Sequence, residues 1–350
     1  MLLRRQEMPC GEAIERLVGM QAQNPLSPYF GLWARLDGFR PEEMAGAITG
    51  RTAVRMPLLR STIHLVTARD CLALRPVLNP VLERNLYVGS PYGRQIAGMD
   101  IEALLAAGRE LLEERPRTSA ELGKVLAELW PGRDEGAMAY ALHNLVPVVQ
   151  VPPRGVWGAG GLARWTTVEA WLGRPIEADP APDEMVLRYL ASFGPATVGD
   201  IRAWSGMAGL SDVAARLRPR LRTLGDEVGR ELFDLPNAPL PEPDTPAPPR
   251  FLPDYDNALL AHADRTRIIA EEHRKRLMAG NDAPGTVLLD GFVAETWKIS
   301  RSRDSATLLI RPLEPLQPRD RAALADEGAR PLSFASASAK ARDVQFTPPE

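Results

Sequence analysis

The chain has 350 residues, 45% hydrophobic and 25% charged, with a formal net charge of −3 and a sequence pI near 6.0. These are the values of a globular protein long enough for two or three cored domains, and they exclude a basic protein that coats nucleic acid indiscriminately. Cys10 and Cys71 cannot build a disulfide framework or a four-ligand zinc site, and His64, His143, His262 and His273 show no metal-ligand spacing.

No signal peptide or apolar run of spanning length is present, so the expected protein is cytoplasmic, needs no metal or cofactor and touches no membrane. The first predicted element is an amphipathic helix over 11–23, on whose apolar stripe Ile14, Leu17, Val18 and Gln21 fall. Pro25 should end it, which leaves Gln21-Ala22-Gln23 near a helix C-terminus where the macrodipole is negative. Such a place suits a water and a developing cation better than a phosphate. By itself a Gln-x-Gln pair more commonly just caps or solvates a helix end.

Helices near 28–37 and 41–49 follow, then strands near 53–58 and 62–67. Arg60-Ser61-Thr62-Ile63-His64 alternates as a strand, with Thr62 and His64 on the face opposite Ile63. A wing strand of this kind can approach a DNA backbone or minor groove; a half-buried strand with a hydrogen-bonded histidine is the plainer alternative. A second group has helices near 100–114, 118–129 and 134–146 and strands flanking the Gly-rich stretch 154–161. That stretch reads as a wing turn, since no Lys-Ser/Thr follows it and no helix opens from it. A third group has helices near 183–193, 197–204 and 209–219 and strands near 221–224 and 230–235, with Thr118 and Thr197 as N-caps. Three helices and a β-hairpin make the winged version of the helix-turn-helix.

Residues 236–249 hold seven prolines in fourteen positions and read as a stiff linker. Beyond it come a helix near 256–278, strands near 285–290, 292–300 and 305–312, a helix near 318–328 and a strand near 342–347. Asp256 is a plausible N-cap, and Tyr29, Phe30 and Trp33 belong to a core.

Arginine is unevenly placed. Between 51 and 94 there are Arg51, Arg55, Arg60, Arg69, Arg75, Arg84 and Arg94 against Asp70 and Glu83, and Arg216, Arg218, Arg220 and Arg222 form a second cluster. The chain has only four lysines, so arginine richness reflects codon bias in part. The asymmetry of position is the better sign of a nucleic-acid face.

The segments IERLVGMQAQNPLSPYFGLWARLDG (14–38), MPLLRSTIHLVTARDCLALRP (56–76), GPATVGDIRAWSG (194–206), FLPDYDNALLAHADRTRII (251–269) and LLDGFVAETWKI (288–299) resemble, in order, the AlkZ-like winged-helix DNA glycosylases. That family's catalytic motif is Gln-aliphatic-Gln or Gln-aliphatic-Asp. Gln21 and Gln23 match the first form, with Ala22 smaller than the usual middle residue. The chain also has only ten residues before its first strong helix, as though a leading segment of the family were absent.

The resemblance implies an α+β fold of three tandem winged-helix units (1–90, 91–178 and 179–240) followed by a C-terminal β-barrel-like domain (241–350). It implies a monofunctional glycosylase, with Gln21 and Gln23 catalytic, that hydrolyses bulky N7-alkylated purines from double-stranded DNA. Unhooking of interstrand crosslinks, and repair or self-resistance to a genotoxic antibiotic at the nucleoid, belong to the same expectation. Arg55, Arg60, Thr62, His64, Arg69, Arg216, Arg218 and Arg265 are the expected DNA contacts. The competing reading is a non-catalytic winged-helix regulator; a scaffold for protein interactions is weaker, given the arginine clustering. Regulators usually dimerise on palindromes, and no coiled-coil heptad is visible, so a monomer is expected.

Overall fold

The helix that opens the chain, α1 (Cys10–Arg16), stops well short of Gln21. The Gly19 amide donates back to the Ile14 carbonyl at 3.0 Å, and Val18 and Gly19 have positive φ of 53° and 88°. Glycine accepts that backbone without a side-chain penalty, and a Cβ there would lie 2.8 Å from Val66 Cγ1. The chain therefore leaves the helix early, and Met20–Gln21 become β1. The helix expected to run to residue 23 is corrected on this ground: a glycine stop acts before the proline does, and no helix dipole stands behind the two glutamines.

The structure, a computed structural model that describes residues 1–278 and 283–348, divides into two units built from interleaved stretches of chain. One takes Cys10–Pro25 and Pro41–Ala238; the other takes Met1–Pro9, Leu26–Arg40 and Pro239–Glu350.

After α2 (Ser27–Arg35), which belongs to the second unit, α3 (Pro41–Thr49) leads into β2 (Ala53–Pro57) and β3 (Ile63–Thr67). These two strands form the expected hairpin, around a 3-10 turn at Leu59–Ser61. The sequence gives no sign of the next element, α4 (Ala68–Arg84), because Pro76 and Pro80 lie inside it. Thr67 caps it by accepting from the Asp70 amide, and Cys71, Leu72, Leu74, Leu78 and Leu82 bury its inner face. That burial outweighs the backbone bonds the prolines remove.

The short α5 (Tyr92–Gln95) precedes α6 (Ile101–Glu114), α7 (Ser119–Leu129) and α8 (Glu135–Leu145), close to their predicted spans. β4 (Val148–Val151), β5 (Arg164–Thr167) and α9 (Val168–Leu172) follow. Then come α10 (Asp183–Phe193), α11 (Val198–Ser205), α12 (Leu210–Leu217), β6 (Arg222–Gly225) and β7 (Glu231–Asp234). Thr118 and Thr197 cap their helices as the sequence predicts, each in a reciprocal box with an acid three residues on.

The hairpins of the first two helical groups are not separate wings. With β1 they join one antiparallel sheet in the order β1-β3-β2-β4-β5, while β6 and β7 pair alone. Leu58, Val66, Leu78, Tyr189, Trp204 and Phe233 are among the side chains of the core that α4 shares with α10–α12.

In the second unit, β8 (Arg250–Leu252), α13 (Asn257–Leu260), α14 (Glu271–Leu277), β9 (Thr286–Leu289), β10 (Phe292–Arg301), β11 (Ser305–Pro312), α15 (Pro318–Ala335) and β12 (Ala341–Phe346) follow the proline-rich stretch. Its sheet runs β12-β11-β10-β9-β8. The expected β-barrel is corrected: among the described residues this sheet is open. β12 returns parallel to β11 after α15, so it extends the edge opposite β8 rather than closing onto it.

Tyr29, Phe30 and Trp33 are buried as predicted, with Phe30 edge-on to Trp297 at 5.3 Å. Arg35 meets Asp256 through two bonds of 2.8 and 2.7 Å, and Asp256 also caps α13. The α+β class is what the structure shows. Among the described residues no helix is long and apolar enough to cross a membrane.

Candidate active site

β1 is the edge strand of its sheet, and its register fixes the glutamines. Met20 lies opposite Leu65 and Gln21 opposite His64. The Ala22 amide donates to the Ile63 carbonyl at 2.7 Å, which carries the pairing one residue further. Side chains alternate along an extended segment, so Gln21 and Gln23 lean one way and Ala22 the other. Ala22 is fully buried, Gln21 is 6% exposed, and Gln23 is exposed. A small middle residue suits that buried position. Gln23 Oε1 accepts from the Ile63 amide at 3.0 Å.

Arg55, on β2, is 2% exposed and donates through Nη2 to the Ala22 carbonyl at 2.7 Å. Gly155, with φ of 89°, makes room for it: a Cβ there would stand 2.6 Å from Arg55 Cδ. The Gly-rich stretch thus backs the arginine that pins the glutamine segment.

The 3-10 turn brings Arg60 over the same segment. Arg60 and Ser61 have φ of 53° and 58°, a left-handed conformation rare for such residues. Arg60 Nη2 donates to Gln21 Oε1 at 2.7 Å, while Nη1 donates to the Trp204 carbonyl at the end of α11. Ser61 Oγ donates to Asn144 Oδ1 at 2.9 Å, and Thr62 Oγ1 donates to the Leu59 carbonyl at 3.1 Å.

His64 is 1% exposed, and its Nδ1 lies 3.0 Å from the Thr62 carbonyl, so that nitrogen carries the proton. Burial first, and then the Arg60 charge, push its pKa down to about 3. The imidazole beside Gln21 is therefore neutral in the working range of pH. Its Nε2 is the nitrogen with an open lone pair.

The structure brings Gln21, Gln23, Arg55, Arg60, Thr62 and His64 together on β1, β3, β2 and the turn between them. Arg55 and His64 lie inside: Arg55 bonds the backbone of the motif, and His64 is the buried, hydrogen-bonded strand histidine that the sequence also allowed. The remaining arginines are elsewhere. Arg69, at the start of α4, pairs with Glu15 at 2.9 Å, and Arg216 and Arg218 pair with Asp183 and Glu231, both at 2.7 Å. Arg265, in the other unit, is half-buried, and Nη1 lies 3.0 Å from Met278 Sδ.

Sequence reading missed Trp204, Asn144 and Gly155 as partners of the site. GPATVGDIRAWSG and the Gly-rich stretch were visible as motifs, but nothing in them pointed across the fold to residue 60 or 55. Among the described residues, ligating atoms of Glu272, His273 and Glu314 lie within 4.8 Å of one another. They belong to the second unit, and His273 Nε2 already meets Glu314 Oε1 at 3.2 Å.

A family model described as DNA glycosylase AlkZ-like matches residues 14–334. Among solved structures the chain is similar to the Streptomyces sahachiroi DNA glycosylase AlkZ, with a TM-score of 0.79 at 20% identity, covering 99% of this chain and 95% of that one. At that identity the likeness speaks for the fold. No curated protein matches by sequence.

Proposed function

The chain belongs to the AlkZ-like DNA glycosylase family, and from that premise we propose that it hydrolyses the N-glycosidic bond of bulky N7-alkylated purines in duplex DNA. On this reading Gln21 and Gln23 are its catalytic residues, and it uses no metal or cofactor. Excision of crosslinked purines, and protection against a genotoxic alkylator, extend the same reading.

Breaking the bond leaves an oxocarbenium-like sugar, which a water must reach from the far side. The groups that hold the motif are two guanidiniums and a peptide N–H, and the facing imidazole is neutral. An amide is a poor base, so this set suits a base that departs with little help. A purine alkylated at N7 is a cation and leaves neutral, after which the placing of water matters more than its deprotonation.

Both carbonyl oxygens of the pair already accept a bond from the protein. Each retains a second lone pair for water, with its direction fixed before substrate arrives. This prior fixing of two uncharged amides is the observation that carries the proposal. The guanidinium beside Gln21 opposes a sugar cation, so on this reading the flanking phosphates form part of the charge balance.

No step through an enzyme-bound imine is proposed. The four lysines (Lys124, Lys275, Lys298 and Lys340) lie on elements other than those that hold the motif, and the reaction is simple hydrolysis. The test is release of free base from duplexes carrying N7-alkylguanine, a neutral O6-alkylguanine or unmodified guanine. Release confined to the cationic lesion supports the proposal. Sequence-specific binding to undamaged duplex, with no release from any of the three, would favour the regulator instead.

A further inference from the structure

We propose that Arg60 is a positioning residue that sets which way the Gln21 amide faces, and that α11 holds Arg60 in place through the Trp204 carbonyl. The inference deepens the proposed function and rests on Gln21 being part of the reaction centre.

A glutamine amide has two nearly isosteric orientations, and only its hydrogen-bond partners distinguish them. A guanidinium donates and never accepts, so at 2.7 Å it meets the oxygen and turns the NH2 group to the opposite side. Arginine also spans two acceptors at once: Nη2 takes Gln21 Oε1 and Nη1 takes the Trp204 carbonyl. A lysine offers one ammonium and cannot hold that fork.

The backbone is shaped to deliver this reach. Arg60 and Ser61 hold left-handed φ values, and Gly206, with φ of 81°, packs its Cα against the turn. A Cβ at Gly206 would stand 3.3 Å from Arg60 Cα and 3.0 Å from Val81 Cγ1. A side chain at 206 would be strained by the positive φ and tight against the turn, so the α11 end sits close on Arg60 and the third helical group bears directly on the orientation of one amide of the motif.

This role differs from a phosphate contact in what it changes. A phosphate contact alters affinity and its salt dependence; a positioning contact alters the chemical step at saturation. The experiment compares wild type, Arg60→Met, Arg60→Lys, Gly206→Ala, Gln21→Ala and the double variant Arg60→Met/Gln21→Ala. It measures single-turnover release of N7-alkylguanine at saturating enzyme, Kd for the same duplex across a salt series, and the side-chain amide NMR signals of Gln21, assigned by their loss in Gln21→Ala.

Arg60→Met should lower the saturating rate at least tenfold with an unchanged salt slope, and Arg60→Lys should recover only part of the loss. Gly206→Ala should slow the step with Gln21 intact, and the double variant should be no slower than the slower single one. In Arg60→Met the Gln21 amide signals should shift and broaden. Unmoved signals would overturn the inference whether or not any variant is active, and so would a full rate accompanied by a salt slope reduced by about one. Losses that multiply in the double variant would do the same. Lack of release by the wild type bears on the proposed function alone, and the NMR comparison still decides the role of Arg60.

Discussion

Gln21 and His64 are Cα partners in the antiparallel ladder between β1 and β3, so their side chains share one face of the sheet at van der Waals range. The relationship depends on register. A slip of one residue would turn both glutamines toward the side Ala22 now occupies, since alternate residues face opposite ways.

Gly19 guards that register. Gly19→Ala forces a Cβ into a positive-φ position, 2.8 Å from Val66 Cγ1. Left-handed backbone and overpacking together should cost about 2 kcal/mol by urea denaturation. Excision by the folded fraction should fall as well, because β1 has to shift. A variant with unchanged stability and rate would show that the tight turn is unimportant.

Arg55 is expected to act through backbone placement. Arg55→Met removes a charge-assisted bond to a buried carbonyl, a loss of about 1–3 kcal/mol in folding stability. It should slow excision while leaving the salt slope of DNA binding unchanged. A reduced slope with normal chemistry would put Arg55 on a phosphate after all.

Buried His64 and half-buried His143 should set a lower pH limit on stability. The His64 pKa is pushed down to about 3, and that of His143, stacked on Trp165, to about 4, burial being the main cause in both. The unfolded chain then binds protons near pH 6.5 that the folded chain refuses. Stability is full above that value and falls as pH drops toward 4, by about 2 kcal/mol per histidine at pH 5. His143→Phe should flatten the decline in a pH series of urea unfolding. The same slope in the variant would contradict this.

Glu295 has the opposite sign. Burial, and then the Asp320 charge, raise its pKa to about 8. Stability is fully present below about pH 4.5 and is lost as pH rises toward 8, because the unfolded chain sheds a proton that the fold retains. Glu295→Gln should stabilise the protein by about 3 kcal/mol at pH 7 and hardly at all at pH 4.5. A gain that is equal at both values would exclude a titration at Glu295.

Much of the fold was legible because its signals are local. Thr118 and Thr197 announce their helices by capping chemistry, and the pattern near 53–58 and 62–67 gives the hairpin to within a residue at its turn. What escaped was settled by contacts distant in sequence. Two prolines concealed α4, which its buried face and the Thr67 cap keep helical. The merging of two hairpins into one sheet depends on β2 meeting β4, and the open C-terminal sheet depends on which edge β12 joins. At the site, the Gln-Ala-Gln motif and residues 60–64 were visible as neighbours in purpose. Their attachment was not, because a strand in place of a helix end, and an arginine reaching Trp204, arise only once the chain has folded.

The most direct measurement is single-turnover release of N7-alkylguanine from duplex DNA by the wild type, Gln21→Ala and Gln23→Ala, with unfolding curves to establish that each variant is folded. Rates lowered about 100-fold in both variants at unchanged DNA affinity are the expected result. Equal rates in all three folded proteins would contradict it.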